Sequence, residues 1–214
     1  MSNLLILGAG GHAKVVAETA LASGIASNLA FLDDACFGLD SPSSLLNWPV
    51  LGPLVLSLEA DIVAQFELAV VAIGHAATRL YWINQLKTAG YKLPVLIHPT
   101  ACVSPSARLG PASVVFAQVI VQSQASIGSG VILNSGCCVD HDSYVSDAVH
   151  ICPGACLAGE VHVGPRSWLG IGASVIQRVR IGSDVIIGAG AAVVSDIPDG
   201  ITAVGVPARA VSSN

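Results

Sequence analysis

The sequence is short of charge. Of its 214 residues, Lys and Arg number 9 and Asp and Glu 14, so charged side chains make up 11% and the formal net charge is −5. No basic run offsets that balance, which argues against duplex nucleic acid or an anionic membrane surface as a partner. Long apolar runs are missing as well. The chain is 53% hydrophobic, yet no stretch reaches the roughly 18 uninterrupted apolar residues of a membrane span. The opening MSNLLILGAGGHAK lacks a basic leader, and glycines break its apolar run after four residues. It is not expected to act as a secretory signal, and the chain is expected to be cytoplasmic. No Cys-x-x-Cys pair occurs among cysteines 36, 102, 137, 138, 152 and 156; they are expected to be small core fillers rather than disulfides. What remains is too apolar for disorder and long enough for one or two domains with a core of their own. So little charge also points to further burial between subunits.

What the sequence has is a repeat of six. From Ile97 to Val193, every sixth residue is Ile, Leu or Val, seventeen positions without an insertion. Four residues after each lies a second small or aliphatic position, beginning Ala101, Ala107, Ser113, Val119, Ala125. A period of six is neither helical nor a plain strand alternation. It fits short strands joined by tight corners, with one large and one small inward residue per side. Three sides make an 18-residue coil, so the hexads predict between five and six coils of a triangular prism. Glycines 110, 128, 164, 170, 182 and 188 directly follow the large inward residue, where a side chain would crowd the next corner. A solenoid without any catalytic task is the plainer reading of such a stack.

Residues 1–95 differ in texture. Leu4–Leu7 reads as a buried strand, Gly8-Ala9-Gly10-Gly11-His12 as a turn, and Ala13–Ala22 as a helix. Ala30–Leu32 is a second strand ending in Asp33-Asp34, followed by a loop over 36–53 rich in proline. A helix around 57–66, a strand at Leu68–Ile73 ending in Gly74-His75, and a helix over Thr78–Ala89 complete an α/β pattern, which implies a parallel sheet. Gly8-x-Gly10-x-x-Ala13 with Asp33 some 20 residues on matches the dinucleotide fingerprint. That is the case for an NAD-dependent oxidoreductase. About 95 residues, however, hold only half of a dinucleotide fold, a half-Rossmann unit suited to one nucleotide whose phosphates meet the N–H groups of the glycine turn. The expected domains are therefore 1–95, α/β, and 96–214, an all-β solenoid with a tail.

The order GAGGHAKVV, FLDD, Ile73-Gly74-His75 with Arg79, Ile97-His98-Pro99-Thr100-Ala101, hexads, and a closing Gly205-Val206-Pro207-Ala208-Arg209 resembles the bacterial sugar acyltransferases of the sialic-acid O-acetyltransferase and PglD type. The resemblance covers nearly the whole chain. It implies a left-handed parallel β-helix, a homotrimer with active sites at subunit interfaces, and acetyl-CoA as co-substrate with no metal. It further implies N-acetylation of a nucleotide-linked 4-amino-4,6-dideoxy sugar, carried on GDP or UDP, for surface polysaccharide such as lipopolysaccharide O-antigen. Sugar O-acetylation by the same family is the alternative. A metal enzyme like the γ-class carbonic anhydrases, built on His141, His150 and His162, ranks lower because it leaves GAGGH and FLDD unexplained.

Within this resemblance the stretch Asn134 to Asp142 matches the family's catalytic segment. His141 is then the base and Asp142 the acid that orients it, with Asp140 the weaker orienter. His150 matches the position that meets the acetyl-CoA end. Gly159, one coil after His141, leaves space beside the base, while Gly188 and Gly190 offer backbone access to the pantetheine. The nucleotide-sugar is assigned to Gly10, Gly11, His12, Asp33, Asp34, Gly74 and His75, with Asn134 also expected to touch substrate. His98 and His162 are read as structural. For the glycines, corner geometry alone is an almost equal explanation.

Overall fold

A computed structural model describes residues 2–35 and 44–211, in two compact units divided between Ile97 and His98. In the first unit, strands β1 (Asn3–Leu7), β2 (Asn28–Leu32), β3 (Ser44–Leu45), β4 (Trp48–Gly52) and β5 (Leu68–Val71) form one sheet in the order β3-β4-β2-β1-β5. β1 runs parallel to both β2 and β5. Parallel neighbours need crossovers, and helix α1 (Gly11–Ala22) supplies the one from β1 to β2. Its Ala13, Val16, Ala17 and Ala20 are buried, one apolar stripe at helical spacing. After a 3₁₀ turn at Leu54–Leu58 come α2 (Ala60–Gln65), β5 and α3 (Ala76–Ala89). Gly8 ends β1 at φ +108, and a Cβ there would stand 2.8 Å from the Ala72 carbonyl oxygen. Only glycine meets both conditions.

The expected loop over 36–53 is corrected in part. Residues 36–43, with Cys36 and Pro42, lie outside the described residues. Residues 44–52 are a β3–β4 hairpin rather than loop, and β4 pairs with β2 only from Val50 onward. The ladder on that side therefore never asks Pro49 for the N–H it lacks.

The second unit is a left-handed parallel β-helix. Two-residue strands stack at 18-residue intervals: Ile120 pairs with Cys102 and Cys138, Ser126 with Arg108 and Tyr144, Ile132 with Val114 and His150. The three faces hold six, five and eight strands. The last includes the tail, where Thr202–Val204 adds in parallel and Arg209–Ala210 folds back against it. Every large inward residue from Val115 to Val193 is buried, while Ile97, Val103 and Leu109 are half-covered. Strands Cys102–Val103 and Arg108–Leu109 are terminal in their sheets, which leaves their inward side chains without a preceding coil.

Three buried serines occupy small inward positions. Each donates its hydroxyl to a carbonyl fifteen residues on and accepts the N–H eighteen residues on: Ser113 to Gly128 and from Val131, Ser143 to Ala158 and from Val161, Ser167 to Gly182 and from Val185. A polar atom in the core is thereby satisfied twice. Of the cysteines, Cys137 and Cys152 are buried fillers, but Cys102 and Cys156 are exposed and Cys138 is half-buried. Those three alternate with inward residues and point outward, which corrects the expectation for them; all five described thiols are free. No described helix is long and apolar enough to cross a membrane.

Glycine after the large inward residue is a matter of space. A Cβ on Gly164 would lie 2.5 Å from the Gly182 carbonyl carbon of the next coil, and one on Gly110 equally close to Gly128. Gly136 differs, with open space around it and φ +66. Gly164→Ala should therefore lose about 3 kcal/mol, the upper range of overpacking against immovable backbone, and Gly136→Ala about 1 kcal/mol for its left-handed backbone. Urea denaturation of both variants checks this; equal losses would show that close coil packing does not govern the first position.

Candidate functional site

Three sets of side chains gather, two on the prism and one in the first unit. On the prism, His141 and Asp142 form a corner between strands Cys138–Val139 and Tyr144–Val145. Asp142 adopts φ +57 and donates its N–H to the Ser123 carbonyl of the preceding coil, while the His141 carbonyl accepts from Glu160 of the following one. With its backbone held on both sides, His141 projects its ring outward. Imidazole Nδ1 lies 2.8 Å from Asp142 Oδ2, and both side chains remain about half exposed, 54% and 53%. The Asp140 carboxylate takes the His141 N–H at 2.7 Å. Asp142 first, then Asp140 and Glu160, hold the His141 pKa above its ordinary value of 6.5.

The ring lies over Gly159. A Cβ on that buried residue would stand 2.5 Å from both Cε1 and Nε2 of His141. With Nδ1–H committed to Asp142, Nε2 is the ring atom able to take a proton, and glycine is what leaves room beside it. On a different face, Asn134 accepts the Ser135 N–H through Oδ1 and turns its amide toward His150 Nε2 at 3.2 Å. His150 thus accepts through Nε2, which places its proton on Nδ1. His150 also stands roughly perpendicular to the Trp168 ring, with centroids 6.3 Å apart. The structure joins His141 with Asp142 and Gly159, and Asn134 with His150. At the C-terminal end, Gly188 is crowded by Val204, and Gly190 has open space and φ +66.

In the first unit, Gly8, Gly10, Gly11, His12, Asp33, Asp34, Leu54 and Gly74 are among the residues lining a cavity of about 380 Å³. It opens at the carboxyl ends of β1, β2 and β5, where open parallel sheets take their ligands. The carboxylates organise its rim. Asp33 accepts the N–H of Ala9 at 2.6 Å and of Ala35 at 2.8 Å, and Asp34 accepts that of Leu54 at 2.8 Å. Desolvation, and next the nearby Arg79, push the His12 pKa down to about 4, so the ring is neutral at pH 7. His75 stands outside this group. Its Nδ1 accepts the Thr78 N–H and meets the Thr78 hydroxyl, capping α3. Arg79, one turn into α3, is 1% exposed and shares a buried face with Ile83 and Leu86. That spacing of i, i+4 and i+7 was the available sign of its burial. Among the described residues, no group of three or more His, Cys, Asp or Glu side chains converges as metal ligands do.

A hexad prism carrying an accessible imidazole–carboxylate pair at a corner, after a half-Rossmann unit, defines the class of hexapeptide-repeat acyltransferases. The model of the PglD N-terminal domain matches residues 3–86. The acetyltransferase domain of PglB from Neisseria gonorrhoeae FA1090 is 43% identical, with a TM-score of 0.92 over 99% of this chain and 100% of that one. The same domain in complex with acetyl coenzyme A aligns at 44% identity and TM-score 0.91, covering 98% of each chain. PerB from Caulobacter crescentus, in complex with CoA and GDP-perosamine, is 38% identical at TM-score 0.91 over 99% of this chain and 98% of that one. The chain belongs to the sugar acyltransferases of the PglD type.

The direction of the His141 shift is open to measurement. Nuclear magnetic resonance titration should find the His141 imidazole titrating above 6.5, and Asp142→Asn should move it down toward 6.5 because the first cause of the rise is gone. An unchanged titration in the variant would mean that Asp142 does not set the basicity of the ring.

Proposed function

We propose that the protein transfers the acetyl group of acetyl-CoA to the amino group of a 4-amino-4,6-dideoxy sugar carried on a nucleoside diphosphate. The observation that carries this is the His141 ring, tied to Asp142 through Nδ1 and kept open at Nε2 by Gly159. The family's solved members bound to acetyl-CoA or to CoA with GDP-perosamine support the two substrate classes. In the step itself, the amine lone pair attacks the thioester carbonyl carbon. Nε2 of His141 takes the proton that nitrogen must lose, and the C–S bond breaks as the tetrahedral adduct collapses. The departing thiolate then receives that proton and leaves as CoA thiol. Asp142 holds the ring in the tautomer that leaves Nε2 free and offsets the imidazolium charge that forms.

His150 is assigned to the acetyl-CoA end, with Gly188 and Gly190 beside the pantetheine. The nucleotide falls to the Asp33–Asp34 cavity, whose glycine turn offers N–H groups to phosphate. His141 and His150 lie on different sides of one prism, so an active site that uses both draws them from two copies. A homotrimer with interface sites follows, working in the cytoplasm on sugars destined for surface polysaccharide.

A panel of nucleoside-diphosphate amino sugars assayed with acetyl-CoA tests the reaction, an amide product being expected; acetylation at hydroxyl groups alone would replace this reading with O-transfer. General base catalysis contributes about 100- to 10,000-fold. His141→Asn, polar but unable to act as a base, should lower kcat by that order, leave both KM values nearly unchanged, and recover at high pH. A near-normal rate at neutral pH would reduce His141 to positioning the amine. Asp33→Ala releases the Ala9 N–H and should raise the KM for the sugar nucleotide while the acetyl-CoA KM stays put. A joint rise would undo the assignment of one substrate to each site.

A further inference from the structure

Arg79 heads the fully buried side chains by volume, and no step above uses it. Its Nη1 donates to the Ile73 carbonyl at 2.9 Å and the Gly74 carbonyl at 2.7 Å, the two that follow the end of β5. Burial lowers its pKa only to about 10, so the guanidinium is charged at pH 7. Enclosing a charge is costly.

The geometry of the peptide unit gives the charge and the paired Nη1 bonds a purpose. In a trans peptide, the C=O and the following N–H point in opposite directions. With the carbonyls of Ile73 and Gly74 drawn toward Arg79, the N–H groups of Gly74 and His75 are turned to the other side. Neither donates to an acceptor among the described residues. Successive N–H groups on one side of a chain make an anion-binding concavity. Ile73 and Gly74 line the same cavity as Gly10 and Gly11, where α1 begins without a side-chain cap. The two carboxylates at this cavity, Asp33 and Asp34, are already occupied by backbone N–H groups.

We propose that Arg79 is a positioning residue for the diphosphate of the nucleotide-linked substrate: by holding two carbonyls, it turns the N–H groups of Gly74 and His75 toward the anion without touching it. The buried charge adds attraction from behind the loop. This rests on the functional reading above, and the experiment separates the two.

Binding of GDP against guanosine, and of UDP against uridine, is measured by ligand-observed NMR for the wild type, Arg79→Lys and Arg79→Met. Lysine retains the charge but has a shorter reach and no planar guanidinium with which to hold both carbonyls, and the melting temperature of this variant reports whether the fold survives even if the Met variant does not fold. Diphosphate affinity should fall about 10- to 100-fold in Arg79→Lys, the scale of hydrogen bonds to a charged group, with nucleoside affinity unchanged. In turnover, the KM for the sugar nucleotide should rise alone, with kcat and the acetyl-CoA KM unmoved. Equal losses for nucleoside and diphosphate, or no loss in a folded Lys variant, would overturn the role of Arg79. A wild type that binds neither diphosphate would overturn the functional reading, and this inference with it.

Discussion

From Gly130 to Gly190, the third residue after each large inward one turns into the left-handed region and sends its N–H to a carbonyl nineteen residues earlier. Gly136 donates to Ala117 in this way, Asp142 to Ser123, Glu160 to His141 and Arg178 to Gly159, whereas Gln118 and Gln124 donate to the hydroxyls of Thr100 and Ser106. Non-glycine residues pay about 1–2 kcal/mol for that backbone, yet Ala112, Gln118, Gln124, Asp142, Ala148, Glu160, Arg166, Arg178 and Asp184 all adopt it. Such a varied set shows that local preference does not choose the conformation. The stack does, because an unsatisfied N–H between coils would cost as much or more, and each corner aligns the next inward pair.

The geometry of the His141 pair descends from that corner. Asp142 is itself a left-handed corner residue, and His141 is its predecessor, so the turn that closes the coil also brings the carboxylate to Nδ1 at 2.8 Å. One coil later the equivalent positions are Gly159 and Glu160. A larger residue at 159 would occupy the ring's place, and Glu160 adds its charge to the field that raises the His141 pKa. The 18-residue period thus places the imidazole, its carboxylate partner and the space beside the ring by one rule. Further along this corner column, Arg178 pairs with Glu160.

The hexad was legible because its apolar residues recur without a break, and burial from Val115 onward follows the pattern residue for residue. Glycine after the inward residue was legible only in part: positions 110, 128, 164 and 182 fall on one corner of the prism, where a Cβ would meet the next coil, while other corners admit Phe116, Asn134 or Ile176 at the same place in the hexad. The left-handed corners were not legible, because they carry no common residue type. The hairpin at 44–52 was hidden by Pro49, which breaks a strand pattern on paper but falls outside the β2–β4 ladder. His141 with Asp142 was visible as adjacent residues in a family segment. His75 was not separable from its neighbours, since its ring is used by Thr78, three residues on, in capping α3. Arg79 was hidden by its charge, for a guanidinium is seldom expected among buried side chains.

Two histidines illustrate how one residue type serves opposite ends. His12 lies in the wall of the cavity, where burial and Arg79 hold its pKa near 4, while His141 stands in solvent among carboxylates that raise it. The unfolded chain binds a proton at His12 near pH 6.5 and the folded chain only near 4. Its contribution to stability is therefore whole above about pH 6.5 and is lost as the pH falls toward 4, about 3 kcal/mol in all. His141 meets the same fall from the other side: it becomes imidazolium above pH 6.5 and no longer accepts a proton. On acidification His141 thus gains its charge first and the first unit loses stability after it, in an order set by where each ring sits relative to water and charge.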